Sequence, residues 1–190
     1  MLVLFACLAG LLMPLALGGD LRRLGTIRLR AVWLPVAALL AQIVIIEIVP
    51  DGSRPVLVGV HLATYVVAGA FIWLNRSVPG LVVIGAGALL NGVTIALNDG
   101  TLPASSTAER MAGIQDSGGF VNSGTLAHPV LPWLGDVFAW PQPLPMANVF
   151  SIGDLLIVVG TWYAAVRICG TRWSVPQEAT PALPEQPVGA

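Results

Sequence analysis

The chain has 190 residues, 56% of them hydrophobic and 10% charged, with a formal net charge of −1 and a mean hydropathy of +0.83. Soluble domains carry roughly 25% charged residues, so this composition excludes a soluble monomer, and the near-zero net charge provides no field to gather nucleic acid. Cys7 and Cys169 stand far apart without metal-ligand spacing, so neither a disulfide framework nor a zinc site is expected, and no cofactor or metal is implied.

A hydrocarbon layer about 30 Å thick is crossed by roughly 20 apolar helical residues. Runs near that length fall at 1–18, 31–49, 55–74, 79–97 and 150–169, each apolar all round. The expected fold is therefore an all-α integral membrane bundle of five transmembrane helices with a long external loop containing short interfacial helices. The first run ends in Ala16-Leu17-Gly18, a small-x-small pattern, but its basic residues follow it instead of preceding it, so it reads as an uncleaved helix and not as a signal peptide.

The arginines set the orientation. Arg22, Arg23, Arg28, Arg30, Arg76, Arg167 and Arg172 would lie on one side and only Arg54 and Arg110 on the other. By the positive-inside rule the N-terminus is outside and the C-terminus cytoplasmic, which predicts a multi-pass membrane protein.

Small residues four apart, Ala6/Gly10, Ala37/Ala41, Gly59/Ala63, Ala88/Gly92 and Gly160/Ala164, predict close helix packing. They leave open whether the contacts lie within one chain, in a homo-oligomer or with a membrane-protein partner. The external stretch 98–149 is longer than most helix connections. A short helix is expected over 106–114, a turn at Asp116-Ser117-Gly118-Gly119, and an aromatic segment, 131–140, lying flat at the outer interface through Trp133 and Trp140. The proline-rich tail 174–190 is expected to be a disordered cytoplasmic end.

The few polar residues within or beside the runs gather toward the outer side, and ionisable groups in lipid are costly enough to mark candidate sites. Glu47 falls near the outer end of the second run, His61 about two turns into the third and Asn91 about two turns from the end of the fourth. Asn98 and Asp99 close the fourth, Asp136 lies in the loop, and Asp154 opens the fifth. Each has a structural reading beside the functional one. Ser151-Ile152-Gly153-Asp154 fits a capping box, Asn98-Asp99-Gly100 fits a helix end with Gly100 left-handed, Asn91 suits a bond to a neighbouring helix, and His61 with Tyr65 suits an interhelical hydrogen-bonding pair. These seven residues are the candidates for binding a ligand or partner. No P-loop, dinucleotide fingerprint, HExxH or GxSxG motif is present, so no catalytic residue is assigned.

Asn91, Asn98-Asp99-Gly100-Thr101-Leu102-Pro103, Leu134-Gly135-Asp136-Val137 and Phe150-Ser151-Ile152-Gly153-Asp154 together resemble a family of polytopic bacterial membrane proteins, common in actinobacteria and related Gram-positive lineages, catalogued as a domain of unknown function. The resemblance runs from about residue 1 to residue 172. Leu102 stands where the family pattern has Met, a mild departure at an apolar position. The resemblance implies a multi-pass protein of a bacterial plasma (inner) membrane and singles out the outer loop, without an activity.

The favoured expectation is a non-enzymatic accessory or scaffold component whose outer loop docks a partner or a small apolar ligand. Two alternatives stand beside it. One is a small-solute or proton transporter using Glu47, His61, Asn91 and Asp154, weakened by the lack of an inverted repeat. The other is an enzyme acting on lipid at the outer interface through Asp99, Asp136 and Asp154.

Overall fold

A computed structural model describes residues 2–114, 123–172 and 174. It is mostly helical, and each expected run contains a helix: α1 (Leu2–Ala16), α2 (Trp33–Ile43), α3 (Arg54–Leu74), α4 (Leu81–Leu97) and, after a short loop helix α5 (Ser106–Ala112), α6 (Ile152–Ile168). The last turn of α2 widens into a π-helical segment, Val44–Ile48, closed by Val49 N donating to Val44 O at 2.9 Å. Among the described residues one helix, α3, is long and apolar enough to cross a membrane by length and composition; the first, second and fourth are apolar but shorter. At 1.5 Å per residue α3 spans about 32 Å.

The helices pack in the spatial order α2, α3, α4, α6, α1. The closest seam is α4 against α6, where Gly87 faces the Gly153 backbone and Gly80 faces that of Gly160 and Ala164, leaving no room for a side chain at either glycine. The next seam is α6 against α1: the Trp162 indole lies on Gly10, and its Nε1 donates to Ala6 O at 2.7 Å. Three of the expected small-residue pairs thus mark packing, because Gly92 also receives the Tyr65 ring. Gly59 meets nothing within 4 Å.

Between α4 and α6 the chain folds into a cap, and here the structure corrects the all-α expectation. Its described residues hold four short strands: β1 (Leu102–Pro103), β2 (Ser123–Gly124), β3 (Phe138–Trp140) and β4 (Asn148–Phe150). β1 pairs in parallel with β2, joining Leu102 to Ser123, and extends through a bridge between Ala104 and Asp136. β3 and β4 form an antiparallel pair in which Phe138 stacks on Phe150 at 5.4 Å. The aromatic segment is therefore not an interfacial helix. Only Pro132–Leu134 makes a 3-10 turn; beyond it Gly135 sits against Pro103 O with no space for a side chain, and Asp136 N donates to Pro103 O at 2.8 Å. Those tertiary bonds draw the chain into sheet pairing.

The loop helix forms where expected, with Ser105 as its N-cap and Gly113 left-handed at its C-cap. The expected turn at 116–119 and nearly all of the tail 174–190 lie outside the described residues.

Candidate functional site beneath the cap

The cap meets the bundle through a chain of polar side chains beginning on α6. Ser151 and Asp154 form the expected capping box: Asp154 N donates to Ser151 Oγ and Ser151 N to Asp154 Oδ2, both at 3.0 Å. The carboxylate lies at the positive end of the helix, where it is stabilised. Asn91 closes the group from α4, giving Nδ2 to Asp154 Oδ1 at 3.0 Å and accepting from Ser151 Oγ at 2.9 Å. This is a bond to a neighbouring helix, the structural one of the two readings that the sequence offers for Asn91. It forms because Gly153 and Gly87 let the two backbones touch beside it.

Two turns further along α4, Asn98 holds the loop. Its Nδ2 donates to Thr94 O at 2.7 Å and Val130 O at 2.8 Å, and its Oδ1 accepts from Val130 N at 2.7 Å. A side-chain amide here reproduces both bonds of a β-pair with Val130. Asp99, adjacent, is left-handed at φ +52° and forms an exposed ion pair with Arg54 Nε at 3.0 Å. Gly100 is left-handed as expected, at φ +86°.

Asp136 is the buried carboxyl of the cap, 5% exposed. Ser123 Oγ donates to its Oδ2 at 2.5 Å, while Oδ1 has no hydrogen-bond partner among the described residues. Burial pushes its pKa up to about 6; the Ser123 hydroxyl pulls the other way, and the charges of Asp154 and Glu109 add to the rise. Its backbone is fully used, with N on Pro103 O and O accepting from Ser105 N at 3.0 Å.

His61 is buried in α3, with its ring edge-to-face on Tyr65 at 5.5 Å. Beside it, Thr64 Oγ1 donates to His61 O and accepts from Gln42 Nε2 at 2.8 Å, linking α3 to α2. Tyr65 lies within electrostatic reach of both Asp154 and Asp136. Glu47 is exposed on the π-helical turn. The structure thus joins Asn91 to Asp154, sets Asn98 at the end of α4 against the cap and Asp136 within it, and leaves Asp99 and Glu47 at the surface. Among the described residues no three His, Cys, Asp or Glu side chains converge as a metal site would require.

Two partners escaped the sequence reading. Ser123 carries no motif, and only the fold brings it to Asp136. Asn75, directly after the third apolar run, holds a position equivalent to that of Asn98. Its Nδ2 donates to Phe71 O at 2.8 Å and Arg30 O at 3.0 Å, and Oδ1 accepts from Arg30 N at 2.7 Å.

A groove of about 650 Å³ runs between α3 and α4 below the cap. Tyr65, Gly69, Gly85, Ala88 and Gly92 line it among aliphatic side chains.

A family model described as a family of unknown function, DUF5317, matches residues 26–166, the segment holding α2 through nearly all of α6 and the whole cap. The chain belongs to this family. It is similar to an uncharacterized protein of Thermotoga maritima, 28% identical over 95 residues that make up 48% of this chain and 53% of the relative. The match thus spans about half the length of that protein. No solved structure matches.

Proposed function

We propose that the chain is a non-enzymatic, multi-pass protein of a bacterial plasma membrane, with five spanning segments, the cap outside and the C-terminus cytoplasmic, and that its α3–α4 groove takes a lipid acyl chain under the cap. The observation that carries this reading is an inverted distribution of polarity. Leu12, Leu15, Val66 and Leu89 are each at least 59% exposed, whereas His61, Thr94 and Ser151 are at most 1% exposed. Water-facing surfaces rarely carry contiguous apolar patches beyond a few hundred Å². In a bilayer the same arrangement is favourable, because helices there associate through small residues and polar bonds and not by burying large apolar side chains.

Counting α2 together with its π-helical turn, the four helices other than α3 and α5 have 15 to 17 residues and fall short of a full hydrocarbon layer, a mismatch that local thinning and flanking residues accommodate at fractions of a kcal/mol per Å. A groove of this size suits a small apolar ligand, and its aliphatic walls would face lipid tails, the species present there at highest concentration. The non-enzymatic reading is supported by the outer aspartates having separate structural partners: Arg54 for Asp99, Ser123 for Asp136 and Asn91 for Asp154.

Single cysteines test the topology in a background with Cys7 and Cys169 replaced by Ser. An impermeant maleimide should label Ser106→Cys in intact cells and Gly25→Cys only after lysis. Equal labelling of both, or release of the chain by alkaline carbonate, would overturn the reading. Mass spectrometry of the detergent-extracted chain should then find a lipid whose retention falls in Ala88→Leu, which fills the groove. Unchanged retention would remove the lipid assignment, and a protein displaced by the same substitution would replace lipid with a partner.

A further inference from the structure

At the end of the bundle opposite the cap lies a second cavity of about 500 Å³, bounded by Arg28, Arg30 and Arg76 together with Asn75 and Ser77. Its position follows from the Asn75 clamp. That side chain holds both backbone polar groups of Arg30 against the end of α3, bringing the connector before α2 beside Arg76 of the α3–α4 turn. Arg76 is itself anchored: its Nη1 donates to Trp73 O at 3.0 Å, and its guanidinium lies 4.5 Å from the centre of the Trp73 ring.

No carboxylate pairs with any of the three arginines among the described residues; the ion pair found there joins Arg54 to Asp99, at the other end of α3. The C-terminal dipole of α3 offers about half a negative charge, too little to balance three cations. A guanidinium presents a planar fork of donors matched to carboxylate and phosphate oxygens, and several around one cavity suit a group with oxygens on every side. A second observation concerns depth. Trp33, opening α2 three residues after Arg30, and Trp73, ending α3 three residues before Arg76, are 66% and 68% exposed, the placement tryptophan adopts at the headgroup layer of a membrane.

We propose that the Arg28–Arg30–Arg76 cavity binds a phosphate group, supplied by the headgroup of an anionic glycerophospholipid. Phosphate recognition rests on the cavity alone; the lipid as its source rests on the membrane reading above. Arg30 and Arg76 hold the phosphate oxygens from the connector and the turn, and Arg28 completes the positive rim.

The test uses the purified full chain in detergent, titrated separately with phosphatidylglycerol, phosphatidylcholine and inorganic phosphate and read by native mass spectrometry and calorimetry. Phosphatidylglycerol should bind more tightly than phosphatidylcholine. Arg28→Gln, Arg30→Gln and Arg76→Gln should each weaken it about fivefold, the equivalent of one basic residue at an anionic surface, whereas Arg22→Gln, outside the cavity, should leave it unchanged. Arg76→Lys, which keeps the charge, should recover part of the loss. Site-dependent binding of inorganic phosphate without lipid preference would uphold the phosphate site and assign it a soluble source.

Equal weakening by Arg22→Gln and Arg30→Gln would overturn the proposal, reducing the site to a diffuse basic surface, as would wild-type binding of lipid and phosphate no tighter than that of the triple variant. Melting temperatures of the variants, above all of Arg28→Gln in the exposed connector, separate lost binding from lost folding. Failure of the maleimide experiment with a phosphate site intact would remove the membrane reading alone, and the reverse result would remove this site alone.

Discussion

Asn98 and Asn75 occupy the same position at the ends of successive helices, the C-caps of α4 and α3. Each returns its Nδ2 to the carbonyl four residues back and uses the rest of its amide to grip a distant backbone, Val130 in one case and Arg30 in the other. The two ends diverge in what is gripped. At one, the clamp secures a folded cap whose buried carboxyl lies among other acidic groups; at the other, it secures a short connector and sets together arginines with which no carboxylate pairs among the described residues. A helix end exposes carbonyls that must be satisfied, and an asparagine there both satisfies one and docks a loop. The clamp is thus indifferent to the chemistry it serves.

The strongest way to break this comparison is to remove what both ends share. Gly87→Val would drive a branched side chain into the Gly153 backbone, and relief would require α4 and α6 to separate. We expect a loss of upwards of about 3 kcal/mol, read as loss of monodisperse protein and of hydrogen-exchange protection at both ends together.

Replacing the clamps one at a time should separate the ends. Asn98→Ala and Asn75→Ala each abolish three hydrogen bonds, and we expect each to cost about 2–3 kcal/mol. Asn98→Ala should release amide protection at Val130 and around Ser123 while leaving phosphate binding intact. Asn75→Ala should release the Arg30 amide and weaken phosphate binding with the cap unchanged. Loss of protection at both ends in either variant would show that the two clamps are not independent.

These effects bear on what could be read from sequence. The five helices were legible because apolar runs of that length have few other uses; α3 begins at Arg54 against an expected 55 and ends at Leu74 as expected. The capping box at Ser151 was legible because its geometry is local. The strands of the cap were not: β1 and β2 are two residues each, and their pairing is decided by contacts between 102, 123 and 136 that no periodicity encodes. Asn98 drew attention within a turn motif, whereas Asn75, alone after an apolar run, did not. Its position immediately after that run was the available signal.

A smaller effect separates the ends by pH. With its pKa moved from 3.8 to about 6 by burial first, Asp136 binds its proton more tightly folded than unfolded. The cap should therefore be most stable below about pH 4 with respect to this group, and lose roughly 3 kcal/mol as pH rises through 6 and the buried carboxyl ionises. Asp136→Asn keeps an acceptor for Ser123 and removes the charge. We expect it to raise the melting temperature at pH 7 and flatten its dependence between pH 4 and 7, with the arginine end unaffected. A pH profile identical to wild type would refute this assignment.

The smallest effect concerns the Arg54–Asp99 pair, which ties the start of α3 to the end of α4. Both side chains are more than half exposed, and such pairs contribute about 0–1 kcal/mol, screened by salt. The two halves of the pair are nevertheless unequal. Arg54 also gives Nη2 to the backbone O of Asp99 at 3.1 Å, a bond that survives Asp99→Asn but not Arg54→Gln. Asparagine further tolerates the left-handed backbone that Asp99 adopts. Arg54→Gln should therefore destabilise slightly more than Asp99→Asn in low salt. In high salt the ion-pair part should vanish from both, leaving a residual cost only for Arg54→Gln; equal costs under both conditions would mean that the backbone bond contributes nothing.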